Sequence, residues 1–196
     1  MEYCVPKLNR FERLMDDARV IRSREGLRRA LIELLRQRPL DQISIRNVTA
    51  SSGVGYTTFF RHYPNKEALL DDVIAQEVGE LVRLTTPVYD GADSMAACVA
   101  LCAHIDQNRS LWAALLTGGA AGAVKEELLA QGRKASVARP VEGSLPADLG
   151  VALAIAVMVE LMSWWLHQAD PWPVARVAEI LHRTGIRPAM EAGGFI

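Results

Sequence analysis

The stretch from Leu149 to Leu166, LGVALAIAVMVELMSWWL, is apolar on almost every side of a helix. A helix of that kind has only two stable surroundings, a bilayer or a protein that covers it all round. Glu160 lies inside the stretch, and no Lys/Arg cluster flanks it to orient a span. The reading is therefore a buried helix over 148–168 in a soluble, cytoplasmic protein with no membrane partner. The N-terminus, MEYCVPKLNR, lacks the apolar core of a signal peptide. Cys4, Cys98 and Cys102 are too few for a disulfide scaffold.

The rest of the chain repeats the helical period between Pro and Gly breaks. Leu27, Leu31, Leu34 and Leu35 form one stripe of a helix over 23–37, which Pro39 ends. Ser44 offers an N-cap to a short helix over 45–51. Gly53 can turn the chain with positive φ, and a second short helix runs over 55–62. Asn65 caps a helix over 66–84. Further helices are predicted over 94–107, 110–116, 124–138 and 174–184, with loops at 87–93 and 139–147. No segment alternates like a strand. The fold class is all-α: residues 1–19 an extension, 20–66 a three-helix unit, and 67–196 a larger helical body. Phe11, Leu14, Met15 and Ala18 have helical spacing, which fits either a helix packed on the body or a mobile arm.

Charge divides along the same line. Residues 1–70 hold 13 Lys+Arg against 8 Asp+Glu, a net of +5, and residues 71–196 hold 9 against 15, a net of −6. An anionic partner is expected to meet the front of the molecule.

Two short helices joined at Gly53-Val54 have the proportions of a helix-turn-helix, whose second helix enters the major groove. That helix carries Tyr56, Thr57, Thr58, Phe60 and His62, and Thr hydroxyls and methyls suit base edges. Four of the twelve aromatics fall between 56 and 63; Phe59 and Tyr63 share the face taken as inward, and Tyr56 and Phe60 the next. Lys66 opposes the macrodipole at the start of its helix, which a phosphate there would relieve. Ser44 and Arg46 begin the preceding helix and are candidates for a second phosphate. On this reading Lys66→Ala lowers the salt slope of DNA binding by about one unit. From spacing alone, a tight helical corner with solvated charges fits as well.

The segment SIRNVTASSGVGYTTFFRHYPNKEALL resembles the signature of the tetracycline-repressor-like (TetR) family of bacterial regulators. Ser44, Ile45, Arg46, Val48, Gly53, Val54, Thr58, Phe60, Tyr63, Lys66, Glu67 and Leu69 carry the resemblance. It implies an all-α homodimer that binds a palindromic operator in double-stranded DNA, usually as a repressor, and releases it when a small molecule enters the C-terminal domain. It also implies that helices 148–168 and 174–184 form the dimer interface. Gly55, Thr57 and Phe60 depart from the usual Ser/Ala, Gly and Tyr. These departures leave room for the alternative of a helical dimer with a degenerate helix-turn-helix that acts through protein–protein contact.

An apolar or amphipathic effector would meet Met95, Cys98, Cys102, Trp112, Met158, Met162 and Trp165, although residues at these spacings serve more often as core than as pocket. Glu160, a carboxylate in an apolar helix, needs a partner, and pairing with His167 or an Arg across the dimer is favoured over a cationic ligand. Cys98 and Cys102, one turn apart, read as small buried residues rather than a redox switch. The four histidines are too scattered for a metal site, the Gly118-Gly119 run lacks a following Lys-Ser/Thr, and no nucleophile or base set appears. No enzyme activity, metal or cofactor is expected.

Overall fold

The computed structural model describes residues 10–85, 93–137 and 145–193. Among these residues the chain is helical, with no strand. Its elements are α1 (Arg10–Leu35), a 3-10 turn (Leu40–Gln42), α2 (Ile45–Ser52), α3 (Tyr56–His62), α4 (Lys66–Thr85), α5 (Ser94–Gln107), α6 (Arg109–Thr117), α7 (Ala121–Val137), α8 (Ala147–Leu166), α9 (Val174–Leu181) and α10 (Arg187–Gly193).

Most predicted helices stand within a few residues of their expected bounds. Two differ in extent. α1 begins at Arg10 rather than Ser23, so part of the expected extension continues the first helix. Residues 1–9 lie outside the described residues, as do the side chains of Phe11, Leu14 and Met15. Ala18 is exposed, as are Val20 and Ile21, so this part of α1 stands off the core. The last helix does not stop at 184. A π-helical turn over His182–Ile186 joins α9 to α10. At that turn a Cβ on Gly185 would lie 3.0 Å from Val157 Cγ1, so the absence of a side chain permits close approach to α8. The expected loops at 87–93 and 139–147 fall mostly outside the described residues.

α1, α2 and α3 surround one small core. Leu27, Leu31, Ile43, Val48 and Phe59 are fully buried there, which is the stripe of α1 meeting the apolar faces of the two short helices. α4 connects this unit to the body, burying Leu69, Leu70, Val73, Ile74, Val78 and Leu81. In the body α5 packs on α9, α7 lies between α4 and α8, and α6 packs on α8. α7 packs tightly on α8 at Gly132, where a Cβ would sit 2.7 Å from Val151 Cγ1.

A polar knot ties the two parts. Asp72 on α4 accepts from Arg28 Nε at 2.7 Å and from Arg24 Nη2 at 3.2 Å, both on α1. It also accepts from the Tyr63 hydroxyl just after α3. Burial pushes the Asp72 carboxyl up, but the bonds from Arg28 and Tyr63 and the two guanidinium charges outweigh it and hold it below the ordinary value.

Asp72→Asn is expected to cost about 2 kcal/mol at pH 7 by loss of charge-assisted bonds, read by urea unfolding. A depressed carboxyl stabilises above its unfolded pKa and stops doing so as pH falls through its folded pKa. The wild-type advantage should therefore persist at neutral pH and vanish in acid below about pH 4.

Candidate nucleic-acid interface

α2 begins with a reciprocal cap. Ser44 Oγ accepts from Asn47 N at 3.2 Å, and Asn47 Oδ1 accepts from Ser44 N at 3.0 Å and from Ser44 Oγ at 2.8 Å. α2 ends at Gly53 with φ of 69°, a left-handed conformation that a side chain resists. Gly55 then starts α3 without a side-chain cap. The turn is therefore set by the capping box, Gly53 and the burial of Val48 and Phe59.

Phe59 and Tyr63 point inward as expected, with 0% and 4% of their surface exposed. Tyr56 and Phe60 are exposed and stack edge to face, with ring centroids 5.2 Å apart. Thr57 is exposed beside them and Thr58 is half-buried. The outer face of α3 is therefore an aromatic pair with a hydroxyl next to it. Arg46 and Arg61 are also exposed and, among the described residues, hold no ion pair.

Three expected contacts acquire different partners. The Lys66 ammonium donates to Leu40 O and Ile43 O, both at 2.8 Å. The cation at the start of α4 is hydrogen-bonded to carbonyls at the start of the 3-10 turn and just after it, so its side chain is spent on holding that turn. His62 Nε2 lies 2.7 Å from Ser23 Oγ on α1. Burial, then the charges of Arg24 and Arg61, lower its pKa, so at neutral pH the ring ties α3 to α1 and carries no charge toward a phosphate. The Ser44 hydroxyl is engaged in its cap. Sequence alone gave no sign of the Lys66 contact, since its acceptors are backbone carbonyls over twenty residues away.

The proposed effector residues lie in the core. Cys98, Cys102, Trp112, Met158, Met162 and Trp165 are all buried, and Met95 packs against them half-buried. Burial raises the Cys98 thiol to about 11 and Cys102 to about 12, values unsuited to a thiolate switch. Trp165 gives its only donor to Trp172 O at 2.9 Å. Trp112 Nε1 is different: it is buried and unpaired. A separate open cleft of about 860 Å³ lies where α1 ends against α4 and α6, lined by Arg36, Arg38, Leu40, Lys66, Thr117 and Gly118 among others; none of the proposed residues lines it.

α8 keeps Met158, Met162 and Trp165 inward. Leu149, Leu153 and Trp164 remain exposed on its outer face with Glu160. Within one chain Glu160 forms no ion pair with His167, whose Nδ1 lies 2.7 Å from Ser163 O in its own helix. The segment Asp148–Leu166 is long and apolar enough to cross a bilayer, with mean hydropathy 1.9, and 28% of it is buried within one chain.

A two-helix unit with an exposed second helix, mounted on a larger helical body, has the geometry of a helix-turn-helix. Residues 27–73 match the family described as bacterial regulatory proteins, tetR family. That match covers the front unit and the start of α4, about a quarter of the chain. The chain is 36% identical over 67 residues to YxbF of Bacillus subtilis, a helix-turn-helix-type transcriptional regulator, a match spanning 34% of this chain and 18% of that protein. The fold is shared with a TetR transcriptional regulator from Streptococcus agalactiae, with TM-score 0.63 and 22% identity over 86% of this chain and 96% of the other. NalD of Pseudomonas aeruginosa, the secondary repressor of the MexAB-OprM multidrug efflux pump, gives TM-score 0.58 and 16% identity over 84% and 96%.

Lys66→Ala is expected to remove two charge-assisted bonds, leaving Ile43 O without its donor while Leu40 O keeps Ile43 N, and to lower stability by about 1–2 kcal/mol in urea unfolding. If instead stability stays put, the ammonium is not a structural tie.

Proposed function

We infer that the chain is a homodimeric, cytoplasmic repressor that binds a palindromic operator through α3 and releases it when a small molecule enters the C-terminal body. The observation that carries the DNA reading is the outer face of α3: Tyr56, Thr57 and Phe60 exposed on a helix whose opposite face is locked by Phe59 and Tyr63. Side chains that are large, apolar and exposed on a rigid helix have no role in the monomer's own packing. Tyr56, Thr57, Thr58 and Phe60 read base edges and thymine methyls. Arg46 and the backbone N–H groups at the starts of α2 and α4 meet phosphates, with Ser44 and Lys66 holding those helix ends in position and His62 bracing α3.

The dimer rests on α8. Its outward Leu149, Leu153 and Trp164 form an apolar stripe that a second copy would cover, together with α9. This cover accounts for a helix apolar nearly all round in a chain that buries little more than a quarter of it alone. Two copies present two α3 helices, which matches a palindromic site. The effector enters the body around the core tryptophans and methionines. Repression is the direction the family favours; DhaS, a dihydroxyacetone kinase operon activator, shares the fold at TM-score 0.60 and 11% identity.

Duplex DNA from upstream of the protein's own gene provides the test. Arg46→Ala should weaken binding to all sequences alike and lower the salt slope by about one unit. Tyr56→Ala should cost about 1–3 kcal/mol on the operator and little on random DNA. Equal losses on both DNAs for Tyr56→Ala would remove α3 as the reading element. Mass at low micromolar concentration should be that of a dimer, and Leu153→Glu should shift it to a monomer; a wild-type monomer contradicts the α8 interface.

A further inference from the structure

We propose that Arg61 selects a guanine in each half of the operator, an inference that rests on the reading of α3 as the DNA-contacting helix and adds its base preference.

The buried residues of α3 fix which way the helix faces. Phe59 and Tyr63 are 0% and 4% exposed and point into the front unit. At about 100° per residue, Arg61 lies about 180° round the helix from the midpoint of that pair. No other residue of α3 is placed so directly away from the core. Thr57 and Thr58 come next, about 140° and 120° round on either side. Tyr56 and Phe60, with ring centroids 5.2 Å apart, occupy one flank. His62, held 2.7 Å from Ser23 Oγ, occupies the other.

The Arg61 guanidinium is left for a partner outside the chain. It is exposed and takes part in no hydrogen bond or ion pair among the described residues. Neither α2 nor α3 carries a carboxylate that could reach across to it. Arg24 and Arg28, by contrast, are held by Asp72, and Arg36 by Glu33.

Position separates a base from a phosphate. A helix lying in the major groove turns its crest to the base edges, while its flanks and ends meet the sugar–phosphate walls. Arg61 is on the crest, whereas Arg46 is in the first turn of α2. The first residues of a reading helix lie deepest, and Arg61 is sixth of seven, so a base contact from there needs a long side chain. Chemistry then selects the base. The guanidinium is a planar fork of donors with no acceptor. Only guanine shows two acceptors side by side in the major groove, N7 and O6. Adenine pairs an acceptor with a donor, thymine shows one acceptor and a methyl, and cytosine a donor. Two copies related by a two-fold axis place this guanine at the same distance from the centre in both half-sites.

The test uses the full chain and a pool of random-sequence duplexes, from which bound DNA is recovered and amplified over several rounds. Sites recovered by the wild type should carry guanine at one symmetric position of each half. Changing that pair should weaken wild-type binding about tenfold, and 7-deazaguanine there, which lacks the N7 acceptor, should weaken it severalfold. Arg61→Ala should lose the preference at that position alone. Arg61→Gln should lose it too and move toward adenine, whose N6 and N7 match an amide. Both variants should keep the wild-type urea midpoint, since the side chain packs on nothing. Variants weakened by one factor on every sequence would make Arg61 a phosphate contact and overturn the proposal, as would variants whose guanine preference is unchanged. Either result leaves α3 as the reading helix. A wild-type chain that enriches no sequence removes the DNA reading and this assignment together.

Discussion

Asp72 is the point on which the two halves of this molecule depend. It sits on α4, the helix that belongs to both the small front unit and the body, and it binds Arg24, Arg28 and Tyr63 at once. α3 is only seven residues long, and a helix of that length has no stability of its own. It is held by Phe59 and Tyr63 beneath it, by His62 on Ser23, and by the Asp72 knot at its end. α3 is therefore tied to α4 through Tyr63 and Asp72, and to α1 through His62 and Ser23.

The second constraint is the division of α8 between two roles. Its inward Met158, Met162 and Trp165 complete the core, and the outward Leu149, Leu153 and Trp164 are left for an external surface. Gly132 and Gly185 let α7 and the last helix approach its inner side closely. Those contacts leave the outer stripe uncovered within a single chain.

Much of this was legible in the residues. Ser44, Gly53 and Asn65 mark the turns of the front unit because caps and left-handed backbone need particular side chains, and the structure uses each as expected. The inward pair Phe59 and Tyr63 and the outward pair Tyr56 and Phe60 follow from the helical period. Side-chain destinations were less legible. Lys66 and His62 look like ligands of DNA along the sequence, but their partners come from α1 and the 3-10 turn, distant in sequence and partly backbone. The continuation past the π turn at His182–Ile186 was hidden by Gly185 and Pro188, which normally end helices.

The central claim is that the exposed face of α3 reads duplex DNA. The most direct measurement is a binding titration of the wild-type chain on upstream DNA, across a salt series, with excess random-sequence competitor. The account predicts nanomolar binding that survives the competitor and falls steeply as salt rises. Binding that is weak and equal on all sequences, or absent at low salt, would contradict it and leave a helical dimer whose helix-turn-helix serves a protein partner.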